Sequence, residues 1–230
     1  MTLAGAVTFA PSLANAGASD PASDAPLPLV NPETPLPETV TAEEIKTLLK
    51  LEPSPTCGFA RETYQSDLKI AAGDLPAPFA GGRPLASAVY FMLTPEAPVK
   101  LHRIRSDQIY HYYLGDPIEV LLLRENDDSE LVVLGPNIIG GELVQLLIPA
   151  NTFHTARVTG KRRWFLGGAT GWPGVVPSED IELGDIEQLA AKYPESTADI
   201  RDFPKPAEPP QPPAPPKEPK PAETTKPSEP

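Results

Sequence analysis

The sequence predicts an all-β fold, a sandwich or small barrel with short flanking helices. Three observations carry that expectation. Nine short runs rich in aliphatic, β-branched and aromatic residues lie between positions 61 and 169. Turn formers separate them: Gly81-Gly82, Gly115-Asp116-Pro117, Asn126-Asp127-Asp128, Gly135-Pro136-Asn137 and Gly140-Gly141. The helix–strand alternation that a parallel sheet requires is missing from the pattern, and regularly spaced short strands with such turns suit a sandwich or barrel.

The elements follow in order. Thr41-Ala-Glu-Glu44 is a capping-box pattern leading into Ile45, Leu48 and Leu49 at helical spacing, so a helix is expected over 42–51, ended by Pro53. Strands are expected at Arg61–Gln65, Ser87–Leu93, Lys100–Arg105, Gln108–Leu114, Ile118–Leu123, Leu131–Leu134, Leu143–Ile148, Thr155–Val158 and Arg163–Ala169. A second helix follows Asp185 as N-cap, through Ile186, Leu189 and Ala190 to Tyr193, with Pro194 as its stop.

The ends have a different composition. Residues 3–16 resemble the apolar core and small-residue cleavage site of a secretory signal, although no basic residue precedes Lys46. Residues 1–16 are therefore read as a signal peptide and the protein as extracytoplasmic; an alanine-rich N-terminus of a cytoplasmic protein is the alternative. Residues 17–40 form an acidic, proline-rich leader expected to be disordered. Residues 204–230 hold twelve prolines, four lysines and four glutamates, with no aliphatic side chain larger than alanine. Such a tail cannot bury enough apolar surface to offset its ordering entropy, and it reads as an extended spacer with proline-x-x-proline spacings. Between them, residues 41–203 make one foldable domain.

The net charge of −12 disfavours nucleic acid, which needs clustered bases on the protein. The basic cluster Lys161-Arg162-Arg163 reads as a solvated hairpin turn. Cys57 is the only cysteine, so no intrachain disulfide can form, and it reads as a structural thiol. The apolar stretch at residues 3–16 is too short to span a bilayer, and no transmembrane segment is expected.

Two segments carry the chemistry. The first is His102-Arg-Ile-Arg-Ser-Asp-Gln108-Ile-Tyr-His111-Tyr-Tyr-Leu-Gly115, and the second is Pro149-Ala-Asn151-Thr-Phe-His154. Together they resemble the two motifs of a cupin, a double-stranded β-helix or jelly-roll barrel that gathers side chains around a central pocket. The family's first motif places a histidine, a second histidine two residues later, and a glutamate seven residues before a turn glycine. With Gly115 as anchor, those places hold His102, Ile104 and Gln108. The second motif ends in proline-x-glycine-x-x-histidine. Pro149, Asn151 and His154 match it, with asparagine at a turn position where it tolerates a left-handed backbone. Further segments resemble one branch, the RmlC-like cupins of the domain of unknown function 985 family: Arg61-Glu62-Thr63-Tyr64, Ala88–Leu93, His102-Arg103, Asp107, His111, Gly115-Asp116-Pro117, Gly141-Glu142 to Gln145, and Glu182–Asp185. The resemblance spans most of residues 44–195 and implies a fold and a pocket, not a reaction.

Strand parity assigns the pocket. Side chains alternate faces along a strand, so Gln108, Tyr110 and Tyr112 point one way and His111 the other, while His102 and Ile104 share a face opposite Arg103 and Arg105. His154 enters from the second motif. The expected ligand pocket is His102, Gln108, Tyr110, Tyr112, Gln145 and His154, although for Gln145, as for Glu142, a sheet-edge or loop hydrogen bond is the default expectation.

Three readings of that pocket differ in chemistry. A metal-dependent oxygenase of this fold wants two or three histidines with a carboxylate. Here the set is His102, Gln108 and His154, short of one imidazole and of the negative charge, so a bound divalent metal is disfavoured unless Glu62 faces inward and completes it. A metal-free isomerase or epimerase would pair a histidine base with a tyrosine acid, and His102, His154, Tyr110 and Glu62 are the candidate catalytic residues. Arg61 and Arg83 are the candidates for gripping a nucleotide diphosphate. The favoured reading is a module that binds a small molecule, sugar-like or a small acid, and forms a homodimer. An inert barrel whose tail makes the interactions is the alternative without pocket chemistry.

Overall fold

The structure, a computed structural model, describes residues 40–205 except positions 80, 126, 127 and 162. The expected signal and leader up to residue 39, and the proline-rich tail from 206 onward, lie outside the described residues.

Helix α1 (Ala42–Leu49) starts as the capping box requires. The Thr41 hydroxyl accepts the Glu44 N–H, and the Glu44 carboxylate accepts the Thr41 N–H at 2.8 Å. It ends earlier than expected, at Lys50 in the left-handed conformation, before Pro53 is reached.

Thirteen strands follow among the described residues: β1 (Glu52–Pro53), β2 (Phe59–Gln65), β3 (Lys69–Ile70), β4 (Arg83–Pro84), β5 (Ser87–Leu93), β6 (Val99–Ile104), β7 (Asp107–Gly115), β8 (Ile118–Leu123), β9 (Ser129–Leu134), β10 (Gln145–Ile148), β11 (Phe153–Val158), β12 (Phe165–Trp172) and β13 (Ile181–Leu183). Short α2 (Pro177–Asp180) precedes β13, and α3 (Ile186–Lys192) and α4 (Thr197–Asp202) close the domain. Each of the nine expected runs forms a strand, with ends moved by at most three residues. Helix α3 begins on its Asp185 cap, whose carboxylate accepts the Gln188 N–H at 2.9 Å. Unexpected are β13, α2, α4 and the two-residue strands β1, β3 and β4.

The strands form two antiparallel sheets, in the orders β1-β2-β5-β12-β7-β10 and β13-β6-β11-β8-β9, with β3-β4 as a separate pair. The sheets face each other across Phe91, Leu93, Val99, Ile118, Val120, Leu122, Leu134, Ile148 and Phe165, all essentially inaccessible. This is a jelly-roll barrel, the all-β architecture expected. The outer side of the five-stranded sheet is covered as well. There Leu101, Leu121 and Leu123 pack against Leu189, Ala190, Tyr193, Ile200 and Phe203 from α3, α4 and their flanks.

Two turn residues meet demands that most side chains cannot. Asn151 adopts φ 61°, as the motif required of it. Gly115 adopts φ 93° with its α-carbon against Trp164, so a β-carbon there would overlap the Trp164 carbonyl.

Three bulges set which residues face inward. Each adds one residue to one strand and shifts its alternation. In β6, His102 pairs with His154 while Val99 pairs with Ala156, so both Val99 and His102 point inward. In β2, Glu62 pairs with Val89 and Tyr64 with Ala88, which turns Glu62 toward the interior and Tyr64 outward. In β7 the extra residue is Tyr113, between Tyr112 and Leu114.

Candidate functional site

One end of the barrel interior is filled by the apolar core. The other opens into a cavity of about 300 Å³. Its apolar wall includes Val89, Phe91, Ile104, Ala169, Val175 and Ile181, and its polar groups include Ser87, His102, Gln108 and Tyr110. The loop from Pro53 to Cys57 closes one side.

The two motif histidines meet at the base, with ring centroids 4.3 Å apart. Each is held by a backbone carbonyl two residues before it: His102 Nδ1 lies 2.7 Å from the Lys100 carbonyl, and His154 Nδ1 lies 3.1 Å from that of Thr152. A carbonyl oxygen only accepts, so both rings carry their proton on Nδ1 and both Nε2 atoms are acceptors. The Tyr110 hydroxyl donates to His154 Nε2 at 3.1 Å, and the Gln108 amide approaches the same atom at 3.4 Å. Among the described residues His102 Nε2 has no such partner. It is the free acceptor of a ring that lines the cavity.

Burial keeps this cluster uncharged. Desolvation pulls His102 down to about 4, opposed only by its bond to Lys100, and holds His154 well below the ordinary imidazole range with His102 adding to the effect. Burial likewise pushes the Tyr110 phenol and the Cys57 thiol up. At neutral pH the cavity therefore presents one neutral imidazole, His102, with a phenol, a thiol and an amide, and the neutral His154 ring lies behind them. The charged residues among the cavity's lining, Arg61 and Glu62, sit side by side on β2.

Of the residues expected in the pocket, His102, Gln108 and Tyr110 line it and His154 lies directly behind them. Two expectations are corrected. Tyr112 has the inward parity but sits at the packed end of the barrel, where its ring meets Phe165 and its hydroxyl donates to the Gly115 carbonyl at 2.8 Å. Gln145 faces away: its strand pairs Leu146 with Tyr110 and Gln145 with His111, so its amide meets His111 Nδ1 at 3.1 Å on the outer surface. Glu62 turns toward the cavity but stays exposed at the rim, with the Gln65 amide 3.4 Å away.

Arg83 is not available to a phosphate. It is 1% exposed and fully engaged: Nε and an Nη reach Asp180 at 2.8–3.1 Å, the other Nη donates to the Gly81 and Gly82 carbonyls, and Glu179 lies at 2.9 Å. The guanidinium of Arg61 lies 5.6 Å over the Tyr90 ring on the outer face. Sequence reasoning also missed a wall of the cavity, the strap from Gly174 to Ile181. It is pinned by Gly174 N–H to the Pro84 carbonyl, Val175 N–H to the Ser87 hydroxyl, and the Arg83–Asp180 pair. Contacts between positions 83 and 180 leave no local signal. Cys57, read as a structural thiol, is another wall residue.

The donor set does not fit a divalent metal. Ile104 stands where a third imidazole would be needed and Gln108 where a carboxylate would, and the Nε2 lone pair of His154 is taken by Tyr110. Among the described residues no three His, Cys, Asp or Glu side chains are placed to hold an ion.

Solved structures resemble this chain in fold. A protein from Leishmania major described as hypothetical is 26% identical, with a TM-score of 0.64 over 72% of this chain and 99% of its own. A Shewanella oneidensis protein is 23% identical, with a TM-score of 0.62 over 73% of this chain and 99% of its own. Bacillus subtilis oxalate decarboxylase aligns at 15% identity and a TM-score of 0.40, over 67% of this chain and 37% of its own, too slight a likeness to carry an argument. No curated protein matches. The model of the cupin superfamily family DUF985 matches residues 43–183, well over half of the chain, and the protein belongs to that family.

Proposed function

We propose that the barrel cavity binds a small, uncharged, hydroxyl-bearing molecule, monosaccharide-like in size, without transforming it. The observation that carries this reading is the hydrogen-bond pattern at the cavity base, which sets the protonation of the rings. Both imidazoles are neutral, both spend their Nδ1 proton on a backbone carbonyl, and His102 Nε2 is left as an acceptor. A ligand hydroxyl supplies the missing hydrogen, whereas a carboxylate would set negative charge against a lone pair with no buried cation beside it. The volume of about 300 Å³ lies at the small end of ligand pockets, and the apolar wall suits the C–H faces of a ring. Of the two ligand classes expected from sequence, the sugar-like one is favoured over the small acid.

The isomerase reading has less support. A general base works best with a pKa near the operating pH. His102 sits at about 4, and His154 is bonded to Tyr110 rather than facing it across an open space.

Thermal-shift and calorimetric titration with neutral monosaccharides and polyols, beside acetate and malonate as small acids, tests the proposal. A neutral compound should raise the melting temperature and bind, and His102→Ala should abolish that binding while the fold is kept. Stabilisation by the acids alone, or neutral binding unchanged in His102→Ala, refutes it.

A further inference from the structure

The mouth of the cavity is electrically one-sided. The bulge in β2 turns Glu62 toward it, opposite the wall residue Val89, and leaves the side chain exposed at the rim. Strand β1 pairs with Phe59 and Ala60 and goes no further, so at Glu62 the strand is a free edge. Among the described residues the carboxylate makes no ion pair, and its contact with the Gln65 amide, at 3.4 Å, is a long one.

The cations nearby do not neutralise it. Arg61, next to it on the strand, has the opposite parity and lays its guanidinium over the Tyr90 ring on the outer face. Arg83, which pins the strap, meets two carboxylates, Asp180 at 2.8 Å and Glu179 at 2.9 Å, so that group is itself net negative. Inside, Ser87, His102, Gln108 and Tyr110 supply hydrogen-bonding groups without positive charge. A carboxylate at the opening of a cleft with apolar walls acts more strongly than one on a flat surface, because low-dielectric walls focus its field into the opening. The net charge of −12 adds in the same direction.

We infer that Glu62 is a specificity-determining residue that makes the mouth an anion filter: a neutral hydroxyl compound passes, and the same compound bearing a carboxylate or a phosphate is turned away. The filter is a property of the mouth, while the compounds it sorts rest on the binding reading above. A sugar and its uronic acid have nearly the same shape, so the fit of an apolar wall separates them poorly. A like charge at the opening separates them by repulsion, and the absence of a cation inside gives the acid nothing to recover that cost.

Cys57 supplies a reporter that needs no ligand. It is the only cysteine of the chain, it borders the cavity and it is partly exposed. Iodoacetamide and iodoacetate are nearly equal in size and differ in charge, and with either reagent the thiolate sulfur displaces iodide. The same thiolate reacts in both cases, so its abundance cancels from the ratio of the two alkylation rates, read by intact mass on the full chain. The wild type should favour the amide over the acid more strongly than free cysteine does. Glu62→Gln should reduce that preference about three- to fivefold and Glu62→Lys further still, while Glu195→Gln, the same charge removed just before α4, should leave it as it was. Added salt should narrow the preference in the wild type more than in Glu62→Gln. A ratio that Glu62→Gln leaves unchanged overturns the inference, and so does a Cys57 that neither reagent alkylates, since the thiol would then lie out of the cavity's reach. A changed ratio in a protein that binds none of the neutral sugars and polyols sustains the filter and removes the binding reading; sugar binding that depends on His102, with an unchanged ratio, does the reverse.

Discussion

Stability should fall on mild acidification, and His102 should account for a measurable share of the loss. Its imidazole is buried and held at about 4 in the folded chain, against an ordinary value near 6.5 once unfolded. A depressed folded pKa means that the unfolded state binds the proton first, so the stabilising contribution is complete above about pH 6.5 and is lost as pH falls toward 4. Between pH 7.5 and pH 5 the unfolded imidazole takes up nearly a full proton and the folded one about a tenth, a loss of about 2 kcal/mol that continues to about 3 kcal/mol below pH 4. His154, also held well below its ordinary value by burial and by His102, adds in the same direction. The readout is a difference, so that contributions of other groups cancel: urea unfolding of the parent and of His102→Gln, each at pH 7.5 and pH 5. The variant should lose about 2 kcal/mol less than the parent across that interval. Equal losses within about 0.5 kcal/mol would show that His102 is not held neutral by burial, and would remove the basis for reading its Nε2 as an acceptor.

Three further outcomes follow from the packing. Tyr110→Phe takes the hydroxyl donor from buried His154 Nε2 and leaves only the long approach of Gln108, so urea unfolding should show a cost of about 1–3 kcal/mol. Arg83→Met strands the Asp180 carboxylate in the interior and should cost about 3–5 kcal/mol, with part of the loss recovered in Arg83→Met combined with Asp180→Leu. Gly115→Ala places a β-carbon at φ 93° against the Trp164 carbonyl and should cost more than about 1 kcal/mol in thermal melts, whereas the same change at open Gly73 should cost little.

The strands and the motif register were legible because both rest on local chemistry. Alternation has a period of two, glycine and asparagine mark left-handed turns, and Gly115 therefore fixed the places of His102, Gln108 and Ile104. Depth along the barrel was not legible. Tyr112 shares its face with Gln108 and Tyr110, yet which of the three meets the cavity depends on where Phe165 fills the interior. Gln145 was misplaced for a related reason: its face depends on pairing with His111 across a long connection, and a shift of one residue reverses every side chain on the strand. The bulges in β2, β6 and β7 depend on partner strands as well. The strap wall rests on Arg83 and Asp180, ninety-seven positions apart, and nothing local to either residue announces the other.

The bulge in β2 bears on how this protein tolerates change in length. Because one extra residue lies between Glu62 and Tyr64, the strand delivers a carboxylate to the cavity rim and an aromatic ring to the outer face within three positions. Replacing Thr63 by another residue preserves that division. Deleting it would restore the regular ladder, with Glu62 still opposite Val89 and Tyr64 still opposite Ala88, so both residues would keep their facing. The bulge is thus the place in β2 where length can drop by one without reversing the alternation, and a library of single-residue deletions across β2 should show its greatest tolerance there.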